Sequence, residues 1–288
     1  MSLVLSQLFN GLANGLLLAL ISTGLTIIYG TLGVINFAHG ALFVVGAYAG
    51  YTVYGITDSF ALALAGGAAT SLVIGLIIER GLMRQYYSRP PEDQILVTFG
   101  IGIILVEVIR SLYGGVSLSV DVPAWGQGVA RLGSLIYPMY RLQALAIAAA
   151  TLLLLYFILY RTSLGLIVRA GIEDAEMVNA LGINVKRTFL LVFGIGAMAA
   201  GYAGVVDAPI VTLLPDMGHR VLVDSFVVVV IGGVGSFPGA IIGGIIAGVI
   251  LSLTSIVDPA YSHVMLFIVM ALVLILRPQG LMGQEGRE

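Results

Sequence analysis

Residues 5–29 read LSQLFNGLANGLLLALISTGLTIIY, 25 positions without one charged side chain. A membrane-spanning helix needs about 20 such residues in succession. In hydrocarbon every backbone N–H and C=O must be satisfied within the segment, so the run predicts a helix that crosses a bilayer. Further runs follow at 34–54, 60–78, 95–113, 142–160 and 188–206. A shorter one at 221–234 runs into Gly232-Gly233-Val234-Gly235-Ser236-Phe237-Pro238-Gly239, and two more lie at 240–256 and 263–276. This spacing predicts an all-α, polytopic integral membrane protein. Its architecture is a bundle of about eight or nine transmembrane helices with broken or re-entrant segments, forming one domain over residues 1–288.

Composition agrees. Of 288 residues, 59% are hydrophobic and 10% charged, against about 25% charged in ordinary soluble domains. Mean hydropathy is +1.07. That apolar surface exceeds what one soluble core can hide, which excludes a soluble enzyme, a nucleic-acid binder and a disordered chain. The net charge of −2 suggests no polyanionic partner, and the absence of cysteine removes disulfides and thiolate metal sites. The first seven residues carry no basic residue and no small-residue cleavage site, so they are expected to belong to the first span rather than to a cleaved leader.

Lys186 is the single lysine; the other basic residues are arginines. Arg80, Arg84 and Arg89 fall in one polar stretch, Arg161, Arg169, Lys186 and Arg187 in another, and Arg277 and Arg287 in the tail. Positive residues stay inside, which assigns these stretches to the cytoplasm. Counting back from Arg80 places the N-terminus outside. An arginine-bearing tail on the inside favours nine crossings, or eight plus a re-entrant segment. The loop 114–141, with Trp125, Arg131 and Arg141, falls outside.

The 38 glycines are nearly twice the usual share of about 7%. Gly11/Gly15, Gly239/Gly243, Gly244/Gly248, Ala197/Gly201 and Ala200/Gly204 are small-xxx-small pairs, which let helix backbones approach closely in lipid. A faint echo links the Gly30–Gly33–Gly40 stretch with Gly232–Gly235–Gly239, though shared glycine content alone accounts for it.

Ionisable and polar groups within spans are the candidates for function. Glu107 and Arg110, three apart, are expected to pair with each other near a span end. Asp207 and Asp224 are read as lying near span ends, solvated. Asn10 and Asn14 share one helical face at i, i+4, and Asn36 and His39 share another at i, i+3. These four either bond between helices or line a polar pathway. Ser236 and His263 imitate a serine protease pair, but Ser236 runs straight into Phe237-Pro238, a loop signal, and no oxyanion donors are evident. There is no HExxH, no metal-spaced carboxylate pair and no phosphate-binding loop. Any ATP that drives this chain is hydrolysed elsewhere.

Between Arg169 and Asn184, Ile172, Ala175, Val178 and Leu181 recur every third residue. Glu173, Asp174 and Glu176 sit near the start of that segment, where acids suit the helix dipole, and Gly182 follows as a stop. The reading is one short amphipathic helix in the cytoplasmic loop 161–187. Three acids suit anionic lipid poorly, so the apolar face is expected to meet a protein.

At these residues the sequence resembles a known family. Gly24-Leu-Thr-Ile-Ile-Tyr-Gly30 with Gly33-Val-Ile-Asn-Phe-Ala-His-Gly40, the stretch Arg169 to Asn184, Gly232 to Gly239, and Leu276-Arg-Pro-Gln-Gly-Leu281 are similar to permease subunits of branched-chain amino acid ABC importers of the LivH type. The resemblance implies an inner-membrane permease that forms half of the pathway. Its partners are a second related permease, two cytoplasmic ATPase subunits and an external solute-binding protein. It implies no enzyme activity and no cofactor in this chain, ATP being bound by the partner subunits. Glu176 and Gly182 match the spacing of the EAA-type loop of such permeases, with Met177-Val178 in place of its two alanines. The implied ATPase-coupling residues are Ile172, Glu173, Ala175, Glu176, Val178, Leu181 and Gly182. Asn10, Asn14, Asn36 and His39 are the candidates for the translocation pathway. Leucine, isoleucine and valine are the expected solutes; relatives of this type also carry urea and short amides. The competing reading is a self-sufficient secondary transporter or channel for a small polar solute, with Glu107, Asp207 or Asp224 as its ion site.

Overall fold

A computed structural model of the chain describes residues 2–132, 135–173 and 175–283. Eleven α-helices and one small hairpin appear among them. They are α1 (Ser2–Leu32), α2 (His39–Thr57), α3 (Phe60–Gly81), α4 (Pro91–Tyr113), β1 (Val129–Leu132), β2 (Leu135–Pro138) and α5 (Met139–Arg161). Then follow α6 (Ser163–Glu173), α7 (Ala175–Ala180), α8 (Val185–Asp207), α9 (Met217–Gly232), α10 (Phe237–Thr254) and α11 (Ser262–Leu276). Eight of the helices are long and apolar enough to cross a membrane. The chain is the all-helical, multi-pass bundle that its hydropathy predicts.

The helix starts follow local chemistry. Ser59 accepts from Leu62 N–H to cap α3, Asn184 accepts from Arg187 N–H to cap α8, and Ser236 accepts from Gly239 N–H at 3.1 Å to cap α10. Pro91 opens α4 with Glu92 and Asp93 in its first turn.

The small-residue pairs hold the centre of the bundle. Gly11 and Gly15 on α1 face Gly248 and Gly244 on α10. A Cβ on Gly11 would stand 2.7 Å from Val249 Cα, and one on Gly15 2.8 Å from Gly244 O. Ala197 and Gly201 on α8 meet Gly75 and Ser71 on α3 in the same way. In lipid no hydrophobic force presses helices together, so this backbone proximity supplies the dispersion contact that binds them. By contrast, α4, α5 and α11 turn Leu, Ile and Phe outward, as a lipid-facing shell must.

Two helices are interrupted. The expected span 34–54 is helical only from His39 onward. Its Nε2 lies 2.9 Å from Ile21 O, eleven residues before the end of α1 and so about 16 Å deep in the bundle. After Gly33, whose N–H still bonds Tyr29 O at 2.9 Å, residues 34–38 climb that distance outside either helix. Phe37 N–H is satisfied by Thr98 Oγ1 at 3.1 Å and Ala38 N–H by Asn36 Oδ1 at 3.1 Å. The second interruption separates α9 from α10 at Gly233, whose φ of +104° excludes most side chains. The two echoing glycine stretches therefore both mark breaks, and they touch: a Cβ on Gly30 would stand 3.1 Å from Gly235 Cα.

The inner ends of α1, α5 and α6, the α9–α10 turn and the tail all line one cleft of about 800 Å³. Gly165 and Val168 thus share a face of the bundle with Pro278 and Met282. Returning from the first pair to the second through α8, α9, α10 and α11 takes four passages. So α9 counts as a crossing, although it has only 16 residues and falls outside the eight long helices. The preceding segment makes up its length, with Leu213 and Leu118 exchanging backbone hydrogen bonds at 2.8 and 3.0 Å.

Candidate functional site

The elbow between α5 and α8 is where the structure departs most from the sequence reading. One helix is expected over 172–181; two are found, α6 and α7, with the first beginning at Ser163. Val168 and Gly171 are buried and Leu164 half-buried, at spacings of four and three, so the inward stripe begins well before Ile172. Asp174 lies outside the described residues, and so do the side chains of Ile172, Glu173, Ala175 and Glu176. Of the expected apolar face, Val178 is buried at 5% exposure while Leu181 is 72% exposed, so the two do not share one packed side.

The stop at Gly182 forms as expected. Its φ is +82°, Gly182 N–H bonds Asn179 O at 2.9 Å and Ile183 N–H bonds Val178 O at 3.3 Å. That 5→2 and 6→1 pairing is a Schellman motif. Asn179 Oδ1 then accepts from Val185 N–H at 3.3 Å, tying the elbow to the start of α8. Met177 and Leu181 stand out from this stitched turn as exposed apolar side chains.

A neighbouring cluster escaped the sequence reading. Glu79, near the inner end of α3, has no exposed surface. Arg84 pairs with it at 3.1 Å and Tyr87 donates its hydroxyl to it at 3.1 Å. Arg84 also donates to Lys186 O at 3.4 Å, and the Tyr87 ring meets Phe189 edge-on. Burial, and next the Glu79 carboxylate, push the Tyr87 hydroxyl well above its ordinary range, so it remains a donor. The signal was present as Glu79 followed five residues later by Arg84, but an acid at a span end reads as solvated.

The four pathway candidates are not brought together. Asn10 Oδ1 accepts from Tyr137 Oη and Arg141 Nη1, both at 2.9 Å, at the outer end of α1. Asn14 is half-buried one turn further in. Asn36 and His39 sit at the break before α2, fully buried, with Asn36 Nδ2 and His39 Nδ1 unpartnered among the described residues.

Glu107 and Arg110 pair as expected, and Arg110 also holds Asp216 at 2.7 Å, joining α4 to the start of α9. Asp207 ends α8, as read, but it is only partly exposed there. Asp224 does not lie near a span end: it is inside α9 and buried, 3.6 Å from His263 Nε2. The run 221–234 began too late to show this, because α9 starts at Met217. Ser236 serves as a helix cap and His263 faces Asp224, so the protease-like pair does not form. No cluster of three metal-binding side chains occurs among the described residues.

Comparison with known proteins follows this geometry. A family model described as the permease component of a branched-chain amino acid transport system matches residues 7–274. The chain is 33% identical to the high-affinity branched-chain amino acid transport system permease protein LivH of Salmonella typhimurium, over 99% of this chain and 97% of that one. It is 30% identical to the corresponding permease protein BraD of Pseudomonas aeruginosa, again over 99% and 97%. The ribose import permease protein RbsC of Escherichia coli is 25% identical over 85% of this chain and 76% of its own. No solved structure matches.

Proposed function

The chain belongs to the branched-chain amino acid transport permease family, and from that premise we propose how it works within its transporter. It is a multi-pass permease component of an ABC transport system, without catalysis or cofactor of its own. In the proposed assembly it pairs with a second related permease. Two ATPase subunits dock from the cytoplasm, and an external binding protein delivers leucine, isoleucine or valine.

The observation that supports the docking site is the pair of exposed apolar side chains, Met177 and Leu181, on a turn stitched rigidly to α8. A rigid, apolar, inward-facing tip suits a protein groove better than a solvated loop. Closure of the ATPases would push this tip and, through α8, rock α2 and α3, against which α8 packs. Both states must differ in contacts for ATP to bias them. The coupling set remains Ile172, Glu173, Ala175, Glu176, Val178, Leu181 and Gly182. Asn10, Asn14, Asn36 and His39 border the proposed path, the last two at the break before α2.

The test is uptake by the double variant Ile172→Ala, Leu181→Ala in its native host. Transport is expected to fall while membrane insertion stays normal; normal uptake would overturn the coupling role. Mass spectrometry of the tagged chain purified in mild detergent tests the assembly, where recovery of the chain alone, still competent for transport, would overturn it.

A further inference from the structure

The middle of the bundle holds a charged group that none of these roles uses. Ser225 O accepts from Ser22 Oγ at 3.2 Å, and Ser22 lies ten residues before the inner end of α1, about 15 Å along its axis. The adjacent Asp224 is therefore deep within the membrane-spanning part, level with the break at His39, which bonds Ile21. It is 8% exposed. Its Oδ2 faces His263 across 3.6 Å, too long for a strong hydrogen bond, and its Oδ1 has no partner among the described residues. Ser262 Oγ, beside His263, is likewise buried and unpartnered. A carboxylate buried with a free oxygen is costly in hydrocarbon.

One turn before Asp224 on the same helix, Arg220 is exposed, with Val223 exposed between them. Arg220 lies in the first turn of α9, about 6 Å nearer its outer end than Asp224. Acid and guanidinium at i and i+4 stand about 6 Å apart at their Cβ atoms.

We propose that Asp224 receives the ammonium group of the transported amino acid, and that Arg220 takes its carboxylate. This rests on the transport reading above and adds the groups of this chain that the solute meets. A zwitterion carries one charge of each sign, its ammonium is a three-fold donor, and the free Oδ1 is an acceptor without a donor. A neutral solute offers no charge to match either side chain.

The experiment uses the complete transporter in proteoliposomes, with the external binding protein, and reads radiolabelled leucine uptake and ATP hydrolysis in the same vesicles. Asp224→Asn keeps the size and removes the charge. Loss of one charge-assisted hydrogen bond should lower uptake per ATP hydrolysed by about tenfold, with Asp224→Glu recovering part. Uptake at the wild-type rate overturns the proposal, and so does an equal fall in uptake and hydrolysis, which marks a structural part. If Asp224→Asn fails to assemble, the exposed Arg220→Gln gives the same reading, where unchanged leucine uptake again overturns it. Wild-type vesicles that hydrolyse ATP in response to the binding protein yet take up no leucine overturn the transport reading itself, before any variant is compared.

Discussion

Arg84 donates to the carbonyl of Lys186 across 102 residues of sequence while its guanidinium neutralises the buried Glu79. The loop after α3 and the start of α8 are thereby held by one side chain. Any movement of the elbow at Gly182 passes beside it.

Removing that side chain should be costly. Breaking a buried ion pair by deleting one partner costs about 3–5 kcal/mol. Arg84 keeps a third of its side chain in water, so Arg84→Met is expected near the lower end, about 3 kcal/mol. The check is thermal melting of the purified transporter. The double variant Glu79→Leu, Arg84→Met should recover most of the loss, since no charge is then left unpaired. A double variant less stable than Arg84→Met alone would refute this account.

Gly182 tests the elbow through the backbone alone. At φ +82° with nothing within 4 Å of a built Cβ, a substitution meets strain but no clash. Gly182→Ala is expected to cost about 1–2 kcal/mol locally and to lower ATP-driven uptake. Gly182→Asn should do less harm, because Asn tolerates the left-handed region. Equal effects of the two would argue against a backbone cause.

The α1–α10 seam predicts a contrast between two glycines. Gly15→Ala places a methyl 2.8 Å from Gly244 O and 2.9 Å from Ile245 Cα, both backbone, so the helices must separate. Yield of folded protein should drop sharply. Gly55, in the last turns of α2, has nothing within 4 Å, and Gly55→Ala should be neutral or stabilising by about 0.5–1 kcal/mol. Size-exclusion profiles of the two variants decide the matter.

Asn10 separates a fastening role from a pathway role. Its Oδ1 holds both Tyr137 and Arg141, so Asn10→Ala should release the outer hairpin β1–β2 and raise protease cleavage within 114–138. Leucine uptake is expected to fall by less than about twofold if the side chain only fastens. A large loss of uptake with the hairpin still protected would place Asn10 on the solute's route.

The runs of apolar sequence located α3, α4, α5, α8, α10 and α11 because each begins and ends where polar residues must leave hydrocarbon. What they concealed has physical reasons too. His39 starts α2 deep in the bundle because Thr98 of α4 and the local Asn36 side chain bond the backbone just before it, and no hydropathy window registers such partners. Residues 163–171 are as apolar as a span end, so their amphipathic stripe was hidden behind α5. The hairpin at 129–138 lies in a loop that is fastened to Asn10, far away in sequence, through Tyr137 and Arg141. Glu79 gave no signal because its partner Arg84 arrives from the following loop. The family resemblance carried the function, since no catalytic or ion-binding constellation in the chain could have.

The break after α9 has a consequence for how the molecule is made. Leu281 N–H bonds Ile231 O and Met282 N–H bonds Gly232 O, each at 2.9 Å, answering carbonyls that the helix leaves open when it stops. Those donors are synthesised fifty residues after their acceptors, and α10 and α11 come between. During insertion the inner end of α9 waits, with bare carbonyls at the membrane surface, until translation has passed two further helices. The last latch of the bundle is therefore a matter of timing: the ribosome delivers it late, to a turn at Gly233 whose own bonds, Gly233 N–H to Val229 O and Ser236 N–H to Gly233 O, are local.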